Sequence, residues 1–131
     1  MIVKGVLRAD DAAQAIRAGA GGLWLSNHGG RQLDGAPPAF TVLPAIAEAN
    51  ANAGKVPLII DGVVRRGQDV FKAIALGANA VAIGRPSLYG LALGGSSGVA
   101  AVYQKLTEEL QLVMHLVGVA NLARIRPDNL L

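Results

Sequence analysis

The sequence contains no cysteine, which excludes disulfides and thiolate metal sites and fits a reducing, cytoplasmic setting. Aromatic residues are scarce, at 4% of 131 residues, so a core built from this chain must be aliphatic. Charge is thin as well: charged residues make up 16%, and the net charge is +3. The basic residues are scattered, with Arg65-Arg66 as the one adjacent pair and no aromatics interleaved, so nucleic acid is not an expected partner. No apolar run approaches the ~18 residues of a membrane span. The opening Met1-Ile2-Val3-Lys4-Gly5 lacks the apolar region of a secretion signal and reads as a strand already under way. Neither a membrane nor a bound metal is expected.

What the chain has in quantity is aliphatic residues and glycine. Hydrophobic residues reach 52%, and 17 glycines against six prolines point to many tight turns in a globular chain. Four short apolar runs, residues 2–4, 23–26, 57–61 and 80–83, have the composition of buried parallel strands. Helical patterns lie between them. Asp10 or Asp11 is expected to cap a helix through Ala18, with Gly19 as its stop. Residues 40–50 place Val42, Leu43 and Ile46 on one helix face, and residues 68–76 do the same with Val70, Phe71 and Ile74 before Gly77. After a loop and short helix over 86–94, a long amphipathic helix is expected over 99–117. Its apolar stripe, a packing face, is Val99, Val102, Leu106, Leu110, Val113, Met114 and Val117, and His115 on the same helix reads as a surface or packing histidine.

An internal repeat supports an α/β fold of βα modules. At an offset of 58 residues, Asp11, Ala15, Ile16, Gly19 and Ala20 match Asp69, Ala73, Ile74, Gly77 and Ala78. Leu23 and Leu25 then align with Val81 and Ile83. The order of elements predicts the C-terminal half of a (βα)8 barrel: four parallel βα units followed by C-terminal helices, in one domain over residues 1–131. A complete barrel takes about 250 residues. Four strands with two open edges therefore predict a partner, either the missing N-terminal half or a second copy of the chain, and so a homo-oligomer.

In such barrels chemistry sits at the C-terminal strand ends. Here those ends read Lys4, then Ser26-Asn27-His28-Gly29-Gly30-Arg31, then Asp61-Gly62, then Gly84-Arg85. Asp61-Gly62-Val63-Val64-Arg65-Arg66-Gly67 and Gly84-Arg85-Pro86 have the makings of a phosphate site, because glycine lets the backbone approach an anion and arginine supplies a planar fork of donors. His28 with Arg31 pairs a base with a carboxylate clamp, the combination needed to take a proton from a small acid. Lys4 by position alone can meet developing negative charge, form a Schiff base or pair with an aspartate.

These motifs resemble the FMN-dependent α-hydroxy-acid oxidases and dehydrogenases, and the resemblance runs through the whole chain. Its most specific segment is Ser26-Asn27-His28-Gly29-Gly30-Arg31-Gln32-Leu33-Asp34, supported by Val64-Arg65-Arg66-Gly67 and Gly84-Arg85-Pro86. The run Leu91-Ala92-Leu93-Gly94-Gly95 is most like the L-lactate oxidase branch. The resemblance implies FMN as cofactor and oxidation of a small L-2-hydroxy acid such as L-lactate to the 2-keto acid. It implies that Lys4 lies beside the flavin N1–O2 edge, Ser26 touches the ring or ribityl region, and His28 takes the hydroxyl proton. Arg31 would bind the substrate carboxylate, Asp61 and Arg65 the ribityl–phosphate region, and Gly62, Gly84 and Arg85 the phosphate. Val63 departs from the family, which has glycine there. If that position needs positive φ, a valine is strained. The alternative reading is a catalytically silent half-barrel that binds flavin or phosphate, or serves only in assembly.

Overall fold

A computed structural model describes residues 1–130. The four predicted strands are present as β1 (Ile2–Lys4), β2 (Gly22–Leu25), β3 (Leu58–Ile60) and β4 (Ala80–Val81). They pair in parallel in the order β1-β2-β3-β4, so each strand lies beside the next in sequence and β1 and β4 are the sheet edges. Helices α1 (Ala9–Arg17), α2 (Ala39–Ala53), α3 (Gly67–Ala75) and α4 (Arg85–Leu116) alternate with them. The chain divides into two compact units, one of Met1–Val63 with Leu76–Ala82, the other of Val64–Ala75 with the chain from Ile83 onward.

In the first unit, strand alternation sorts the side chains. Leu23, Leu25, Leu58 and Ile60 are fully buried, together with Ala12 of α1 and Leu43 and Ile46 of α2. Trp24 and Ile59, one residue out of phase, turn to the other face and are half-buried. The register puts Lys4 beside Trp24 and Trp24 beside Ile59, so Lys4, Trp24 and Ile59 line one face of the sheet. Asn50 is buried but satisfied: its amide donates to Val56 O and its Oδ1 accepts from Val56 N, both at 2.9 Å, which pins the turn into β3.

The 58-residue repeat is reproduced by the elements themselves, since α1 starts at Ala9 and α3 at Gly67, and β2 starts at Gly22 and β4 at Ala80. Both helices leave through a glycine in the left-handed region, Gly19 at φ 95° and Gly77 at φ 108°, which reverses the chain towards the strand.

The start of α1 differs from expectation. Its N-cap is Arg8, with no side-chain cap, and Asp10 and Asp11 lie inside the first turn. There they favour the positive end of the helix dipole instead of capping it. Arg8 donates to both Asp10 oxygens, at 3.1 and 2.6 Å. That hydrogen bond holds the Asp10 carboxyl below its usual range.

In the second unit, Phe71 and Ala75 of α3 are buried with Val119 and Ile125, against half-buried Ile74, Leu110, Val113, Met114 and Val117. The expected stripe of the long helix is therefore a packing face. The expected break before it is also real but sharper: α4 is interrupted at Gly94 (φ −152°) and Gly95 (φ 56°, ψ −141°). The two halves touch where Gly90 lies against Gly98, and a Cβ on Gly90 would come within 2.6 Å of Gly98 O.

Candidate functional site

The first unit gathers a polar cluster at the C-terminal ends of its strands. Ser26 is the first residue beyond β2 and is buried. Its hydroxyl oxygen accepts from the Lys4 ammonium at 3.0 Å and from the His28 backbone N–H at 3.0 Å. One buried hydroxyl thus ties the end of β1 to the loop that follows β2. Asp61, directly after β3, stands 3.6 Å from Lys4 Nζ. Lys4 also sits over the Trp24 ring, 5.2 Å from its centre, and the Trp24 indole N–H donates to Asp61 Oδ2 at 3.0 Å. The lysine side chain is 38% exposed and Asp61 20%, so the ammonium is partnered yet open on one side.

His28 follows as the start of a short 3-10 turn, His28–Gly30, entered through Asn27, whose Oδ1 accepts from Gly29 N at 3.1 Å. His28 itself has φ 59° and is exposed. A non-glycine residue in the left-handed region is uncommon and marks a backbone held by its surroundings. Here the Ser26 hydroxyl on its N–H supplies part of that hold. Arg31 closes the turn, its N–H reaching His28 O at 3.4 Å, and it too is exposed. Lys4, Ser26, His28 and Asp61 are therefore linked through hydrogen bonds and an ion pair, with Arg31 one turn from His28. Gly62 follows with φ 86°, and Asn27 Oδ1 is 3.8 Å from where its Cβ would be.

Val63 has φ 60°, so the position needs positive φ and the valine is strained. Its side chain is 63% exposed.

Arg65, Gly84 and Arg85 belong to the second unit. The Asp69 carboxylate accepts from the backbone N–H groups of both Arg65 and Arg66, at 2.9 and 3.0 Å, shaping the turn into α3. Arg65 NH1 donates to Val64 O at 3.0 Å, whereas Arg66 pairs with Glu109 at 3.7 Å. Gly84 is the N-cap of α4 and has no side chain to cap it. Arg85 and Pro86 open the helix.

Sequence reasoning missed Trp24. Its signal was the alternation itself: with Leu23 and Leu25 facing the helices, residue 24 had to face the other way, and the register then sets it beside Lys4. A cavity of about 360 Å³, lined by residues including Asn50, Lys55, Pro57 and Asn79, opens at the N-terminal ends of β3 and β4 and contains none of the expected residues.

The chain matches the model of the FMN-dependent dehydrogenase family over residues 1–131. It is 52% identical over 131 residues to an L-lactate oxidase of Lentilactobacillus hilgardii, all of this chain and 35% of that protein. It is 52% identical over 121 residues to 2-hydroxyacid oxidase 1 of Mus musculus, 92% of this chain and 32% of that protein. Among solved structures, a mandelate oxidase with an FMN adduct superposes at TM-score 0.90 and 45% identity, over 95% of this chain and 39% of the other. The chain spans about a third of the length of the curated relatives it matches.

Proposed function

With the premise that the chain belongs to the FMN-dependent dehydrogenase family, we propose that it serves in the oxidation of a small L-2-hydroxy acid, L-lactate first, to the 2-keto acid. The observation that carries this reading is the buried Ser26 hydroxyl, which joins the Lys4 ammonium to the backbone of His28. A cation and an imidazole are thereby held at neighbouring strand ends.

The residues of each unit, taken by itself, suit a part of FMN. Lys4, Ser26, Asp61 and Gly62 of the first unit would hold the ring and ribityl chain. In the second unit Arg65, Gly84 and Arg85 would take the phosphate, since guanidinium groups and a glycine that lets the backbone approach suit a dianion. Strained Val63 stands apart from this set, and no phosphate contact is assigned to it. When bound, FMN supplies an acceptor for two electrons.

The chain's own residues do the rest. Arg31 is exposed and can present its guanidinium fork to the substrate carboxylate. His28, one turn away, accepts the substrate hydroxyl proton on its imidazole. Lys4 offers positive charge where negative charge accumulates during the transfer. We read residues 1–131 as a single half-barrel piece whose edge strands β1 and β4 pair with further strands. Those strands come from an N-terminal half or from a second copy.

Trp24 is the only tryptophan, so its fluorescence reports on this site alone. Titration with FMN should quench it saturably, and anaerobic L-lactate should then bleach the flavin absorbance. Failure of FMN to quench Trp24 would overturn the reading. Quenching without bleaching would favour the silent flavin-binding module.

A further inference from the structure

Four groups on one sheet face form a closed set: Lys4, Trp24, Ser26 and Asp61. Opposite charges as close as Lys4 and Asp61 ordinarily close to direct contact, because the attraction grows as the distance shrinks. Here they stop at 3.6 Å, while the ammonium makes its 3.0 Å hydrogen bond to Ser26 instead. The reason lies in Trp24. Its indole N–H occupies the same carboxylate oxygen, Asp61 Oδ2, that faces the ammonium, at 3.0 Å. Its ring meanwhile lies under the ammonium at 5.2 Å, adding attraction without adding a counter-charge.

We propose that Trp24 is a positioning residue that holds the Asp61 carboxylate back from Lys4, so that the ammonium keeps charge available for an anion on its open side. A lysine locked into a tight ion pair has most of its field cancelled locally. One set between a hydroxyl and an aromatic face, with its carboxylate tethered elsewhere, does not. Two features of one side chain are needed: the N–H for Asp61 and the π face for Lys4. The identity of the anion rests on the flavin reading above; the restraint on Asp61 does not.

The test is the distance from Lys4 Nζ to the Asp61 carboxylate in crystal structures of the parent chain and of Trp24→Phe. Trp24→Phe keeps a ring beneath the lysine and removes the N–H. Asp61 should then close on Lys4, to a direct contact of about 2.8 Å. An unchanged distance in Trp24→Phe overturns the proposal. Should Trp24→Phe lose its native amide spectrum, Asp61→Asn by itself still tests the relation: the Trp24 indole N–H resonance must move, and a stationary resonance overturns it. If Asp61 closes on Lys4 while FMN affinity and bound-flavin potential stay constant, the positioning role stands and the assignment of Lys4 to the flavin falls.

Discussion

Glu109 and Gly67 meet twice in the second unit: the carboxylate of Glu109 accepts the Gly67 N–H at 2.9 Å, and the missing side chain of Gly67 makes room for Glu109 and Leu110 of α4. A residue on one helix thus satisfies the first turn of another, directly after Arg65-Arg66. Glu109 also pairs with Arg66 at 3.7 Å and Lys105 at 3.8 Å, but those cations are largely exposed and contribute little. The hydrogen bond to a charged acceptor dominates. Glu109→Ala should cost about 1.5–3 kcal/mol, measured by urea unfolding, and a midpoint shift no larger than that of Lys105→Ala would contradict this account.

On the proposed function, His28 and Arg85 should separate chemistry from retention. His28→Ala should leave FMN bound and stop its bleaching by L-lactate. Arg85→Ala should weaken FMN retention first. Normal bleaching in His28→Ala would remove His28 as the base.

Val63 is a β-branched residue at φ 60°, with its side chain in solvent. Left-handed backbone costs such a residue about 1–2 kcal/mol, while Val63→Gly loosens the unfolded chain by roughly 0.4–1 kcal/mol. The balance favours glycine: Val63→Gly should raise Tm modestly. A lowered Tm would show that the valine methyl groups contribute more than the strain.

Ser87 carries a buried hydroxyl with no hydrogen-bond partner among the described residues. It lies in the first turns of α4, where alanine is the better helix former. Removing an unsatisfied polar group recovers its desolvation cost of about 1–3 kcal/mol, less the small cavity left behind. Ser87→Ala should therefore be neutral or stabilising in thermal unfolding. A loss of stability would mean that the hydroxyl has a partner in solution.

The strands and their order were legible because buried parallel strands are written as short aliphatic runs, and each of the four observed strands falls within an expected run, apart from the first residue of β2. The repeat was legible because Gly19 and Gly77 reverse the chain in the same way at the same spacing. Ser26, Lys4 and Asp61 could be named from their strand-end positions. Their mutual bonds could not, since those depend on register, which brings Lys4 beside Trp24 and is not written in any one strand. The role of Asp10 and Asp11 was misread because the helix is capped at Arg8, two residues before the first of its acidic pair. For Val63 the sequence supplied the question and backbone geometry the answer.

The break at Gly94 and Gly95 means that α4 carries no continuous ladder of backbone hydrogen bonds from end to end. Hydrogen exchange should report two rods with separate opening events rather than one long one. The rod beginning at Arg85 could then loosen while the segment bearing Leu106 and Leu110 remained closed over its core.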